Sequence, residues 1–116
     1  MKETAEIVWA LKVILAKEKR EPVDYAHLDQ LLEQSTIKNF DLYTDPFGNN
    51  LAVQCAYADA SDVLEHLVNK AKTLACAFNI DLPTPGEGRT ALHIAALFGF
   101  AQFIEYLFTQ DRKSVV

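Results

Sequence analysis

Gly88-Arg89-Thr90-Ala91-Leu92-His93-Ile94-Ala95-Ala96-Leu97-Phe98-Gly99-Phe100 reads as one short helix with both of its ends marked. Gly88 supplies the positive φ of a tight turn before a helix. Thr90 is a natural N-cap, its hydroxyl reaching backbone N–H groups two or three residues on. Leu92, Ala95 and Ala96 share a face, and the paired alanines let a second helix approach closely. Gly99 is placed to stop the helix in a left-handed conformation and reverse the chain. Phe103, Ile104, Leu107 and Phe108 then form the i, i+1, i+4, i+5 stripe of a returning helix. The stretch predicts a helix–turn–helix hairpin.

This hairpin resembles the ankyrin repeat, G-x-T-P-L-H-x-A-A-x-x-G followed by an apolar V-x-x-L-L outer helix. Gly88, Thr90, Leu92, His93, Ala95, Ala96 and Gly99 fall in register, and Ala91 takes the Pro position. The resemblance implies an all-α, ankyrin-type solenoid that binds proteins and performs no chemistry. It also implies a structural role for His93, bonded locally to steady the turn.

Sliding this repeat back by 40 residues exposes a second copy. Gly48 meets Gly88, Asn50 meets Thr90, Cys55-Ala56 meets Ala95-Ala96, and Leu64 and Leu67-Val68 meet Ile104 and Leu107-Phe108. Asn50-Leu51-Ala52-Val53 replaces the T-P-L-H run, and Asp59 replaces the helix-ending glycine. Asn still caps a helix, and Asp tolerates the left-handed conformation. The usual period is about 33 residues. The surplus falls after Val68, where Ala71 stands in place of a stop and Leu64, Leu67, Ala71, Leu74 and Phe78 keep helical spacing. An outer helix two turns longer than normal is expected, followed by a loop from Asn79 to Gly88 containing Pro83, Pro85 and Gly86.

Upstream, Tyr25, Leu28, Leu31 and Leu32 mark a helix entered through Pro22. Residues 3–20 predict another, apolar over most of its circumference through Ile7, Val8, Trp9, Leu11, Val13, Ile14 and Leu15, and so expected to pack on more than one side. The two make a third pair, either a degenerate repeat or an N-terminal cap. The expected layout is one domain, 1–116: a degenerate repeat or cap over 1–44, a repeat with extended outer helix and loop over 45–85, and a repeat over 86–116. About three helix pairs joined by hairpin loops is near the minimum for a stacked array. No polar cap follows the last pair, where Phe98, Phe100, Phe103 and Phe108 crowd together. Either further chain or another molecule is expected to cover that end, self-association being one outcome.

The 116 residues carry a net charge of −5, but unevenly. Residues 22–110 hold four basic and eleven acidic side chains, which argues against nucleic acid or anionic lipid as partner. Cys55 and Cys76 are too few for a disulfide framework or zinc site and suggest a reducing, cytoplasmic compartment. No apolar run approaches the ~20 residues of a membrane span. Glu3 and Glu6 sit where a secretory signal would be positive, so only secretion without such a signal, into a host cytosol, stays compatible.

No catalytic, metal or cofactor set emerges. His27, His66 and His93 lack spaced Cys, Asp or Glu partners. No nucleophile or oxyanion loop accompanies His66, and Glu65 and Glu105 read as solvated helix faces. Gly86-Glu87-Gly88 lacks the Lys-Ser/Thr ending of a phosphate loop. The first helix could lie on a membrane surface with Lys12, Lys17, Lys19 and Arg20 at its edge, though packing is its more usual fate. Ser114-Val115-Val116 matches the S-x-V tail that PDZ domains accept.

The resemblance places partner contacts at hairpin tips and on the concave face of inner helices. Carried over, these are Pro46, Phe47, Asn49, Tyr57 and Ala58, then Gly86, Glu87, Arg89, Leu97 and Phe98. Phe47, Tyr57, Leu97 and Phe98 would form an apolar patch edged by Asp45, Glu87 and Arg89, the composition of a binding hot spot. The expected function is a protein-interaction scaffold. The alternative is the docking domain of a larger enzyme or secreted effector, since worn repeats with insertions resemble ankyrin proteins that intracellular bacteria deliver into host cells.

Overall fold

The computed structural model describes residues 2–115. Among them the regular structure is helical: α1 (Lys2–Leu15), α2 (Ala26–Gln34), α3 (Leu51–Tyr57), α4 (Ser61–Leu74), α5 (Ala91–Phe98) and α6 (Ala101–Val115). Short 3-10 turns at Pro22–Tyr25 and Phe40–Leu42 lead into α2 and out of it. The all-α class holds. The terminal Ser114-Val115-Val116 motif extends to Val116, outside the described residues.

The helices pack as consecutive pairs, α1 on α2, α3 on α4 and α5 on α6, with α5 beside α3 and α6 beside α4. One apolar core runs through all three pairs, from Ile7 and Leu11 through Leu28, Leu51 and Leu64 to Phe103 and Leu107. The middle pair lies between the other two, and every side chain from Leu51 to Ala56 is buried, Cys55 included. The outer pair is open on its far side. Ala96 and Phe108 are exposed where their counterparts 40 residues earlier, Ala56 and Val68, are buried or partly buried.

Local chemistry sets the starts of α2, α3 and α5. Asn50 accepts a hydrogen bond from the Val53 N–H (3.0 Å), and Thr90 accepts one from the His93 N–H (3.3 Å). His93 answers in kind, its Nδ1 accepting from the Thr90 N–H at 3.0 Å, so two free donors are satisfied reciprocally. Pro22 opens the turn before α2, where a missing N–H costs nothing.

Three helices end alike. The residue after each last turn is left-handed, and two N–H groups bond back to the final turn. At the end of α5 the left-handed residue is Gly99 (φ 73°), with Phe100 N donating to Ala95 O at 2.9 Å. At the end of α3 it is Asp59 (φ 51°), with Ala60 N donating to Cys55 O at 3.0 Å. At the end of α4 it is Ala75 (φ 55°), with Cys76 N donating to Ala71 O at 2.8 Å.

Ala75 corrects the expected length of α4. The helix gains one turn past Ala71, not two, and stops at Leu74. Phe78 keeps helical spacing in the sequence but lies outside the helix, 5.5 Å ring to ring from Phe40. The chain is drawn off by the preceding loop: Phe40 N donates to Ala77 O (2.8 Å), and Asn79 N to Asp41 Oδ1 (2.7 Å).

The first helix is also shorter than the expected 3–20, ending at Leu15. Arg20 folds back beneath it, donating to the carbonyls of Ile14 and Lys17 while pairing with Asp62 of α4 at 2.8 Å. Contact on several sides of α1 is not found: Ile7, Val8, Leu11 and Ile14 are buried, whereas Trp9 and Val13 face water.

Candidate functional site

The first hairpin tip is organised by Asp45. Its Oδ1 accepts from the backbone N–H groups of Phe47 and Asn49, both at 2.9 Å, and its Oδ2 from the Asn49 amide at 3.2 Å. Asp45 is only 8 % exposed, so it is an internal brace and not the charged edge expected from the sequence. The brace leaves Pro46 and Phe47 at the apex, with Phe47 83 % exposed.

The second tip is closed by Thr84, whose N–H donates to Arg89 O (2.9 Å) and whose Oγ1 accepts from the Arg89 N–H (3.1 Å). Glu87 and Arg89 pair at 3.0 Å on its exposed side. Between the tips lies a cavity of about 340 Å³ lined by Phe47, Asn49, Tyr57, Thr84, Pro85 and Glu87.

The inner helices continue this apolar strip. Tyr57 at the end of α3 is 44 % exposed, and Leu97 and Phe98 at the end of α5 are 68 % and 53 % exposed. Tyr57 and Phe98 approach within 6.2 Å ring to ring, and Phe98 stacks on Phe100 at 5.5 Å. Of the positions carried over from the repeat pattern, Pro46, Ala58, Gly86, Glu87 and Arg89 are also exposed, and Asn49 is partly buried against Asp45. An aromatic strip on a surface is unusual because each ring leaves apolar area in water at roughly 25 cal/mol per Å².

Acid–base groups lie elsewhere. His66 Nε2 sits 2.7 Å from Asp29 Oδ1, and its ring stacks on Tyr25 at 3.9 Å. This cluster joins α2 to α4, alongside Lys70–Glu33 at 2.7 Å. Nothing in the sequence spacing announces it, since its members are up to 41 residues apart. Burial pushes the Cys55 thiol well above its usual range, so it stays protonated and unreactive. Among the described residues no three His, Cys, Asp or Glu side chains gather as a metal set, and no helix is long and apolar enough to cross a membrane.

A family model described as ankyrin repeats (many copies) matches residues 62–108. That segment is ankyrin-repeat sequence. It runs from the first turn of α4 through the second tip to Phe108 in α6, so the ankyrin match contains Glu87, Arg89, Leu97 and Phe98. The Thr90–His93 cap and the Gly99 stop lie within it as well. Ankyrin repeats are in general protein–protein interaction modules without catalytic activity. No curated protein and no solved structure matches the chain.

Proposed function

We propose that this chain binds a partner protein through its hairpin tips and the concave face of its inner helices. Phe47, Tyr57, Leu97 and Phe98 supply the anchors. Pro46, Asn49, Ala58, Glu87 and Arg89 form the rim, and no reaction is performed. The observation that carries this reading is the exposed aromatic strip itself. Four large apolar side chains face water in one run while the core is complete without them. Aromatic anchors ringed by charge are where binding energy concentrates.

The test is the triple variant Phe47→Ala, Tyr57→Ala, Phe98→Ala. Its melting temperature should stay close to that of the parent, because exposed substitutions usually lie within ~0.5 kcal/mol each. A partner isolated with the intact chain should bind it far more weakly, since a buried aromatic anchor typically costs ~2 kcal/mol or more when truncated. Calorimetric titration of parent and variant decides. A variant that unfolds, or one that binds as tightly as the parent, rules the surface out.

A further inference from the structure

The internal repeat shows what the far side of the α5–α6 pair is shaped to do. In the α3–α4 pair, which lies against α5 and α6, Ala56 and Leu64 are fully buried and Val68 is partly so. Their counterparts 40 residues on are Ala96, Ile104 and Phe108. Among the described residues no further pair covers these. Ala96 is exposed, Ile104 is only partly buried, and Phe108 is 52 % exposed. All three are apolar, so the last pair keeps the surface of a packing contact and leaves it in water.

Shape and charge together select the occupant. Ala101, Ile104, Glu105, Phe108 and Thr109 line a depression of about 480 Å³ along α6. Phe108 stands half-exposed at its wall, so a knob and a hollow lie side by side on one face. A two-fold axis brings each copy's knob to the other's hollow, the self-complementary arrangement that closes a dimer. Polar groups that would select a foreign partner are nearly absent. Thr109 Oγ1 already donates to Glu105 O at 3.0 Å. Glu105 is the one Asp, Glu, Lys or Arg between Thr90 and Gln110, so two copies of a chain of net charge −5 meet here with little repulsion. The other end of the stack differs, because α1 exposes Glu6 and Lys12 beside Trp9 and Val13.

We infer that the chain pairs with a second copy of itself, tail to tail, through the far sides of α5 and α6 around a two-fold axis. This pairing is independent of the partner-binding reading above, since it uses none of the anchors or rim residues named there. Its strength follows from the size of the face. Helices of 8 and 15 residues span about 12 and 22 Å. Packed about 10 Å apart, they offer roughly 400–500 Å² on each copy. A total near 900 Å² falls below the ~1,200 Å² at which lasting complexes begin. The dimer is therefore weak and concentration-dependent, with a Kd on the order of 0.1 mM.

Sedimentation velocity of the full chain, from about 10 µM to about 1 mM, reads the pairing. The weight-average mass should climb from 13.0 kDa toward twice that value and no further. Ala101→Glu adds a carboxylate to the hollow and removes no packing, since Ala101 is exposed. Phe108→Glu removes the knob. Each variant should keep the parent's helical circular dichroism and weaken the pairing at least about tenfold. If Phe108→Glu unfolds, Ala101→Glu decides alone. Trp9→Glu, at the other end of the stack, should pair as the parent does. A mass of 13.0 kDa at every concentration overturns the inference. So does growth beyond two copies, the mark of an open head-to-tail contact. Pairing that survives Ala101→Glu unweakened, or that is lost in Trp9→Glu, overturns it too.

Discussion

Replacing Ala75 with glycine discriminates between a helix stopped at Leu74 and one that continues to Phe78. Ala75 holds φ 55°, a conformation that costs an L-residue with a β-carbon about 1–2 kcal/mol. Its side chain is exposed, so removing the methyl group forfeits little packing. Glycine relieves the strain but gives back about 0.5–1 kcal/mol through the greater freedom of the unfolded chain. The two backbone bonds that close the end, from Cys76 N to Ala71 O and Ala75 N to Lys72 O, need no side chain and persist. The net expectation is a gain of about 0.5–1 kcal/mol, or a melting temperature higher by roughly 2–5 °C for a chain of this size.

The control is the same chemical change in a right-handed setting. Ala5 lies inside α1 and is exposed, so Ala5→Gly should lose about 1 kcal/mol. Urea titration of both variants against the parent gives the two signs directly. If Ala75→Gly destabilises as Ala5→Gly does, Ala75 is an ordinary helical residue and α4 continues toward Phe78.

Two further predictions concern single contacts. His93→Ala removes the acceptor for the Thr90 N–H and should cost ~1–2 kcal/mol in urea titration; unchanged stability would refute its structural role. Arg20 beside Asp62 holds that carboxyl below the usual range by hydrogen bonding. A depressed folded value means the pair stabilises above the unfolded value near 4 and is lost as pH falls through the folded one. Because Asp62 is largely exposed, the effect should reach at most about 1 kcal/mol. Asp62→Asn should make the urea midpoint fall less between about pH 5 and 3; parallel curves for parent and variant would contradict the assignment.

What the sequence discloses about this fold is what local chemistry decides. Thr90 and Asn50 cap helices because their side-chain oxygens reach N–H groups three residues on, which spacing alone reveals. Asp59 was readable as a stop because it stands 40 residues before Gly99 and belongs to the few residues that adopt a left-handed turn. Exposure of Phe47, Tyr57, Leu97 and Phe98 follows from the same register, since the repeat leaves those positions outside the stack. Asp45 misled because a turn carboxylate near a tip looks like a rim charge until its three acceptor contacts are seen.

The features that escaped the sequence share a cause. Alanine is the best helix former, so nothing at Ala75 announces an end. The end is imposed by the loop some 35 residues earlier, where Phe40 and Asp41 take up Ala77 O and Asn79 N. The close of α1 is similar, with Arg20 held by an aspartate 42 residues away. Trp9 belongs with these. A helix apolar around most of its girth could have been enclosed, and only the absence of a further packing layer in the described residues leaves that side chain in water. The α5–α6 pair, by contrast, carries its cap, its stop and its stripe in one continuous stretch. Helix ends in this chain are therefore encoded in two ways. Those of α3 and α5 are set by neighbouring residues, Asn50 and Asp59 for the first and Thr90 and Gly99 for the second. The ends of α1 and α4 are set by contacts with residues far off in sequence, and so substitutions at Phe40, Asp41 or Arg20 act on helices they do not belong to.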